Sequence, residues 1–441
     1  MEKQPLQTGS GAGRGHPDRS VVIHSHLLAD GVSGSSRRGR ALLVREGRIQ
    51  AVGAREEILK SAPPETSVID LGRACLAPGL IDSHTHLSLA GDGRHYADMF
   101  SDSDEMMVLT GAMNMKKHLD AGITTIREHG ARNRVGFTLK SGLARGYIPG
   151  PRMLVSGRPI TCTGGHFHMC NEVADGEAEI RRSVRRLVHE GADYIKIMAS
   201  GGGTVGTIPG VATYTVEELH AAAHEAHHFH RLTAAHCRAK ESMRRAVEAG
   251  IDLMEHAEFL DPDDRMRFDP KIAEMMAESG IWISPTLQTW CNYPRVLELR
   301  RKRDSGEAAP GEESELDRLE ERMERRLEVM RRMLDYCLRE RIVPGTDSGV
   351  FNIAFGHLDY DLQILHKVGF TPSECLASAT RISAEAIGLQ DEIGTIEPGK
   401  RADLVALDGD PNQDVTAFSR VVAVFQAGRR VWIGGKDASS A

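Results

Sequence analysis

The chain has 441 residues, 40% hydrophobic and 27% charged, with a formal net charge of −7. These values suit a globular protein and disfavour a basic nucleic-acid-binding surface, and no apolar run approaches the roughly 18 residues of a membrane span. The seven cysteines include no CxxC pair, which argues against a disulfide framework. We therefore expect a cytoplasmic protein with a small-molecule substrate, no nucleic acid and no membrane partner.

The chain order predicts three regions. Residues 1–20, rich in Gly, Ser and charge, predict a disordered tail. The β-rich segments 21–76 and 393–436 each hold few strands, so together they predict one composite β-sheet domain. Between them, residues 77–392 alternate short apolar segments with longer segments of helical period, which predicts an α/β fold with a closed (β/α)₈ barrel. The eight strand candidates begin at residues 79, 123, 152, 194, 232, 252, 282 and 342.

A charged stretch, 301–340, follows the seventh candidate strand. Its apolar residues recur at intervals of three and four, which predicts one long amphipathic helix. This helix either packs on the barrel strands, with an exposed first half, or forms a lid or subunit contact. The apolar stripe consists of Leu316, Leu319, Met323, Leu327, Met330, Leu334 and Leu338.

Side chains that can bind metal ions occur at the ends of the candidate strands. His84 and His86 are two apart, so in a strand they share one face. Imidazole and carboxylate suit zinc and similar ions. Burial in an apolar strand should lower the pKa of Lys196, whose neutral amine could form a carbamate; the alternative is a buried lysine paired with Asp347 or Glu255. The complete set is His84, His86, Lys196, His236, His256 and Asp347.

Six motifs occur in order between residues 40 and 435: PGLIDSHTHL, GADYIKIMASGG, AAHC, EHAEF, PGTDSG and GTIEPGKRADLVALD. In this order they resemble the metal-dependent amidohydrolase superfamily. The nearest branch is similar to imidazolonepropionase-like proteins and prolidase-like dipeptidases, and also to bacterial phenylurea and carbamate herbicide hydrolases. The resemblance implies a distorted (β/α)₈ TIM-like barrel plus a small β-sandwich formed by both termini, and we also expect a homo-oligomer.

The resemblance also implies roles for the six residues. One or two divalent ions, zinc by expectation, would activate a hydroxide as nucleophile. Asp347 would take the proton of the attacking hydroxide and pass it to the leaving nitrogen. With a single ion, Lys196 could stay unmodified. With two ions, the inner one would be bound by His84, His86 and Asp347, the outer one by His236 and His256, and carboxylated Lys196 would bridge them.

Two further residues are candidates for substrate contact. His166 matches a histidine that in this branch contacts the substrate carbonyl; the alternative is a surface loop residue. Tyr214 could donate to a tetrahedral oxyanion, or simply precede a helix whose start is marked by a capping box of Thr215 and Glu218. Arg238 could bind a substrate carboxylate or pair with Glu255.

Two stretches depart from the expected pattern. Arg127, Glu128 and His129 stand where relatives usually show Arg-Asp followed by glycines, which weakens any transfer of dipeptidase specificity. The run from His224 to His228 satisfies the H-E-x-x-H motif of metalloproteases, but it fits a barrel helix that points away from the mouth, so surface histidines are the favoured interpretation.

These features together predict a metal-dependent hydrolase that cleaves a C–N bond of a small amide, urea, carbamate or cyclic amide. Trp290 and Tyr293 follow strand seven and favour an apolar or aromatic substrate, unless they pack beneath the long helix. The alternative is a dipeptidase of Xaa-Pro or Xaa-Arg type. A non-catalytic scaffold of the same fold is a distant alternative, because every ligand position is filled.

Overall fold

The computed structural model describes residues 20–434, except the side chain of Ala97. The predicted N-terminal tail, apart from Ser20, lies outside the described residues. All seven cysteines are free thiols. Within the described range, no helix is both long and apolar enough to cross a membrane.

Strands from both ends of the chain form one eight-stranded sheet, in the order β15-β14-β13-β5-β1-β2-β3, with β4 paired to β1. Its own apolar core includes Ile23, Leu42 and Phe425. The expected joining of the two β-rich ends is thus confirmed. The strands of the chain are β1 (Val21–Ala29), β2 (Ser36–Arg45), β3 (Arg48–Ala54), β4 (Ser67–Asp70), β5 (Cys75–Pro78), β6 (Leu80–Thr85), β7 (Ile123–Glu128), β8 (Arg152–Val155), β9 (Tyr194–Met198), β10 (Leu232–Ala239), β11 (Leu253–Leu260), β12 (Trp282–Ser284), β13 (Leu404–Leu407), β14 (Val421–Gln426) and β15 (Arg429–Ile433).

The barrel consists of β6 to β12 and an irregular eighth segment. Strands β6 to β8 and β9 to β12 form two parallel groups. A parallel bridge between Ile160 and Ile197 connects the groups, and the segment 342–348 bridges both β12 and β6. The wall therefore closes with all strand ends at one rim, which confirms the predicted distorted barrel.

Helices follow the barrel strands and cover the wall. They bury one apolar face each, as amphipathic helices on a parallel sheet do. The α-helices are α1 (Arg55–Ser61), α2 (Tyr96–Met99), α3 (Asp104–Asp120), α4 (Val135–Ala144), α5 (Gly176–Glu190), α6 (Val216–His228), α7 (Lys240–Glu248), α8 (Pro270–Ser279), α9 (Leu287–Trp290), α10 (Tyr293–Ser305), α11 (Glu312–Leu334), α12 (Leu358–Val368), α13 (Pro372–Ala377) and α14 (Ser383–Ala386).

The single long helix predicted over 301–340 is wrong in its continuity. The chain forms α10 and α11, separated by a turn in which Gly306 and Gly311 both have positive φ. Such backbone favours glycine and interrupts a helix. Leu338 is buried but lies beyond the end of α11. The fully buried Arg326 of α11 donates to the backbone carbonyls of Ala257, at 2.9 Å, and His256, so this helix packs against β11.

Candidate metal centre and active site

Asp82 joins the first strand of the barrel to its last segment. Its carboxylate accepts hydrogen bonds from the backbone N of His84, at 3.1 Å, and from N and Oγ1 of Thr346, at 3.0 and 2.7 Å. Gly345 permits this close approach, because a Cβ there would lie 2.7 Å from the Cβ of His84. The backbone N of Asp347 then donates to the His84 carbonyl at 2.8 Å, which places the two side chains together.

His84 and His86 converge on Asp347. Their Nε2 atoms lie 3.3 Å apart, and they lie 3.3 and 3.4 Å from Oδ1 of Asp347. All three side chains are buried. Asp347 has a left-handed φ of 54°, a strained conformation of the kind that clusters at functional sites. The arrangement brings two imidazole nitrogens and one carboxylate oxygen to one point.

His236 and His256 lie beside this group, with Nδ1 of His236 2.8 Å from Nε2 of His256. Burial lowers the pKa of both imidazoles well below the ordinary value, with further lowering by neighbouring cations and histidines. Neutral imidazoles keep a lone pair for a metal. The available ligand atoms of His84, His256 and Asp347 all lie within 4.8 Å of one another.

Lys196 projects from β9 into the same space. Its side chain is fully buried, and its Nζ makes no hydrogen bond within the described residues, so neither Asp347 nor Glu255 pairs with it. Burial lowers the pKa of Lys196 to about 8, although the charges of Glu255 and Asp347 oppose this shift. An unpartnered, partly neutral amine among side chains that can bind metal fits a site in which a metal ion is the missing partner.

All six predicted ligands line one small cavity. The other lining side chains are largely aromatic or apolar. Donor chemistry, burial and the orphaned Lys196 amine together fit one or two divalent ions. The lining residues are His84, His86, Tyr96, His166, Phe167, Lys196, Met198, Gly203, His236, His256, Trp290, Asp347 and Val350.

Glu255 supports the ligands from behind, a role that the sequence reasoning missed. Its carboxylate accepts from Nδ1 of His84 at 2.8 Å and from Nε2 of His129 at 2.5 Å. Burial alone would raise the pKa of Glu255, but the facing His129, His84 and Lys196 hold it well below its usual range. The bond to Nδ1 leaves Nε2 of His84 free for a metal, as in carboxylate–histidine–metal arrangements. The unusual His129 thus belongs to the site, stacked 3.9 Å from the His84 ring.

His166 lies within the cavity rather than on the surface. It is buried, its ring centroid lies 4.6 Å from that of His236, and its Nδ1 lies 2.8 Å from Oγ1 of Thr204. Its placement is therefore compatible with contact to a substrate carbonyl.

Tyr214 is not brought to the cluster. Its hydroxyl donates to the backbone carbonyl of Ala174 at 2.8 Å, and the residue is absent from the cavity lining. This geometry does not support the expected oxyanion role, because the only donor of the side chain is used in that hydrogen bond. The neighbouring capping box of Thr215 and Glu218 forms as predicted at the start of α6.

Trp290 and Tyr293 differ in position. Trp290 lines the cavity, and its Nε1 donates to Nδ1 of His256 at 3.0 Å. Tyr293 begins α10, packs against Tyr360 and points its hydroxyl at Gln363. Only the first ring contributes to the site.

The H-E-x-x-H run lies on α6, away from the cluster. Glu225 pairs with Arg185 at 2.6 Å and with Arg181 at 3.5 Å. His224 and His228 line a surface groove instead. Among the described residues, neither belongs to a group of three convergent metal ligands, in agreement with the interpretation as surface histidines.

Comparison with known proteins agrees with this geometry. A curated ochratoxinase of Aspergillus niger is 27% identical over 94% of this chain and 86% of its own length. An imidazolonepropionase of Symbiobacterium thermophilum is 25% identical over 90% of this chain and 91% of its own length. The crystal structure of a Xaa-Pro dipeptidase with bound methionine superposes with a TM-score of 0.77 at 25% identity, covering 94% of this chain and all of that one. The amidohydrolase family model matches residues 75–431. This chain therefore belongs to the amidohydrolase family and is a hydrolytic enzyme.

Proposed function

We propose that this enzyme uses divalent metal to hydrolyse a C–N bond in a small amide, urea, carbamate or cyclic amide that carries an apolar or aromatic group. The observation that carries the proposal is the buried convergence of four imidazoles and Asp347 around the unpartnered Nζ of Lys196. When bound, the metal would supply Lewis acidity and lower the pKa of water. Zinc is our expectation from the imidazole-rich ligand set.

We assign Lys196 as a carboxylated lysine that would help to hold the divalent metal. Its lowered pKa, about 8, leaves part of the amine neutral near neutral pH. The neutral amine adds to carbon dioxide, forms an N–C bond and releases one proton, which converts it into an anionic group with two oxygen donors. This change removes the cost of burying an isolated ammonium among metal ligands.

Asp347 is the assigned proton carrier. Its Oδ1 lies beside Nε2 of His84 and of His86, where the metal and the attacking water would meet. The carboxylate takes a proton from this water and delivers it to the leaving nitrogen. His166, held at Nδ1 by Thr204, presents Nε2 to the substrate carbonyl.

Aromatic side chains support an apolar or aromatic substrate. The rings of Tyr96 and Phe167 lie 5.4 Å apart, and Tyr96 also contacts Phe351, whose side chain stays exposed. The loop that follows β9 exposes Val205 and Ile208. An exposed apolar rim of this kind is typical of a ligand-binding entrance.

A dipeptidase of Xaa-Pro type is the second candidate, favoured by the likeness to the solved dipeptidase. A dipeptide carries a free ammonium, however, and Asp347 is the only carboxylate in the cavity lining of the described chain. A non-catalytic scaffold is disfavoured because every ligand position is filled.

A turnover screen tests the proposal. The metal-loaded protein would be assayed against N-acyl amino acids, aryl ureas, aryl carbamates, cyclic amides and dipeptides, with metal-free protein as the control. We expect metal-dependent hydrolysis in at least one of the first four classes. Hydrolysis of dipeptides alone would favour the second candidate, and silence toward all five classes would contradict the hydrolase proposed here.

A further inference from the structure

A guanidinium group lies one side chain away from the metal-ligand cluster, because Arg238 packs on Trp290 and Trp290 donates to His256. Arg238 follows His236 by two positions on β10, nearer the rim, at a point where the register with β11 shifts. After burial, the charge of Arg238 is the strongest cause that lowers the pKa of His166, a residue of the cavity lining.

Neighbouring side chains hold this guanidinium in place. Its Nε donates to Glu258 at 2.6 Å, in contrast to the expected pairing with Glu255. Its Cζ lies 4.0 Å from the centroid of the Trp290 ring, and that ring also lines the cavity. Stacking and the hydrogen bond to Nε together orient the planar fork before any ligand arrives.

The two terminal nitrogens of Arg238 are still available. Within the described part of the chain, neither Nη atom makes a hydrogen bond, and neither is fully enclosed. A guanidinium with both Nη atoms free presents two parallel N–H donors, the geometry that matches a carboxylate.

The charges around Arg238 are also unbalanced. Arg326 is fully buried and donates to the backbone carbonyls of His256, within β11, and of Pro285, just after β12. Burial lowers the pKa of Arg326, and the negative charge of Glu258 opposes this shift. Among the described residues, Glu258 pairs with Arg238, whereas Arg326 donates to backbone carbonyls and forms no ion pair. An excess buried cation is costly unless an anion compensates it.

We propose that Arg238 binds a carboxylate of the substrate, and that the preferred substrate is an N-acyl amino acid whose carboxylate lies beside the scissile C–N bond. This inference rests on the proposed function and narrows its substrate class. A singly charged carboxylate would balance the excess of one guanidinium over the Glu258 carboxylate, and it matches the planar fork of Arg238. The acyl part of the substrate faces the aromatic side of the cavity, where Tyr96 and Phe167 lie.

A matched pair of compounds tests the role of the carboxylate. N-benzoyl-L-leucine and N-benzoyl-3-methylbutylamine share the acyl group, the scissile amide and the branched alkyl group, and only the first carries a carboxylate. For the metal-loaded enzyme we expect kcat/KM to be about 30-fold or more higher for the acid, the size expected of a bidentate charged hydrogen bond. Equal kcat/KM values for the two compounds would overturn the inference and leave the proposed function intact.

Substitutions test whether Arg238 is the group responsible. Arg238→Met keeps most of the apolar stem and should reduce the preference for the acid to about threefold or less, mainly through KM. Arg238→Lys keeps the charge but loses the fork, and an intermediate preference is expected. Arg325→Met removes an exposed arginine of α11 that pairs with Glu321, and it serves as the matched control with an unchanged preference. A full preference in both Arg238 variants would refute the assignment.

Direct binding separates failure of this inference from failure of the proposed function. Quenching of tryptophan fluorescence by each benzoyl compound measures affinity without turnover, because Trp290 stacks on Arg238. If no substrate class is hydrolysed, tighter binding of the acid that depends on Arg238 still supports a carboxylate site. Equal binding of acid and amine derivative, or displacement by chloride alone, contradicts it. Should Arg238→Met fail to fold, the preference for the acid in Arg238→Lys, compared with that in the unmodified enzyme, decides whether Arg238 binds the carboxylate.

Discussion

Replacing Glu255 by glutamine should weaken metal binding without removing any direct ligand. The glutamate accepts hydrogen bonds from Nδ1 of His84 and from Nε2 of His129. Glutamine has nearly the same volume, but its amide offers one acceptor atom where the carboxylate offers two. One imidazole N–H must therefore lose its partner or face an N–H₂ donor. His84 is then free to turn or to change tautomer, which moves its Nε2 away from Asp347.

The size of this effect follows from the two contacts. Both hydrogen bonds, at 2.8 and 2.5 Å, join a charged carboxylate to neutral, fully buried imidazoles. Loss of a carboxylate behind a metal-binding histidine typically costs about 10- to 100-fold in metal affinity, or about 1.4 to 2.7 kcal/mol. Loss of a charged, buried hydrogen bond destabilises the fold by a similar amount, on the order of 2 kcal/mol.

Competition with a zinc-sensitive chelator would measure the affinity, and thermal unfolding of the metal-free protein would measure the stability. Glu225→Gln is the matched control, because Glu225 is also a buried glutamate next to a histidine but pairs with Arg185 on the outer helices. We expect the control to retain its zinc affinity. Zinc affinity of Glu255→Gln within about twofold of the unmodified enzyme would refute the supporting role of Glu255.

Three other predictions use different measurements. His84→Ala should abolish turnover and lower the bound zinc measured by mass spectrometry, whereas His224→Ala should change neither; the reverse result would favour the helical H-E-x-x-H site. Burial raises the pKa of Glu128 from its ordinary 4.5 to about 8, so the folded state holds a proton that the unfolded chain releases, and stability should fall as pH rises between these values. Glu128→Gln should remove this fall. The gain in unfolding free energy of the variant over the unmodified enzyme should then be larger at about pH 8 than at about pH 6, by on the order of 2 kcal/mol in denaturant unfolding. Parallel pH profiles of the two proteins would contradict this expectation. A Cβ at Gly203 would lie 2.5 Å from the Tyr96 ring, so Gly203→Ala should narrow the mouth and raise KM several-fold, with kcat little changed; an unchanged KM would place the substrate elsewhere.

The barrel was predictable because its elements are coded locally. Each strand is a short apolar segment, and the segment after it has apolar residues at helical spacing. The eighth segment, 342–348, was predicted from the same pattern, although it forms isolated bridges rather than a regular strand. The interruption of the long helix also had a local signal, since Gly306 and Gly311 flank Pro310. The predicted helix was wrongly extended back across these glycines, and its apolar stripe, which begins at Leu316, was wrongly extended past Leu334.

The pairing of side chains across strands was not predictable in the same way. Arg238 pairs with Glu258 rather than with Glu255, although both glutamates lie on β11. Left-handed φ values at His256 and Ala257, 71° and 48°, break the regular alternation of that strand. A prediction from sequence assumes that side chains alternate between the two faces of a strand, so it cannot decide which glutamate faces Arg238.

The sequence alone determined the family, the order of barrel elements and the six candidate ligand positions, because these depend on residue type, periodicity and the order of motifs along the chain. Only the tertiary structure decided which groups surround the ligands: Glu255 and His129 behind His84, Arg326 on the backbone carbonyl of His256, and Tyr214 turned away to a backbone carbonyl. These contacts join residues far apart in the chain. Their partners are selected by barrel closure, local backbone strain and the requirement that buried polar groups be satisfied.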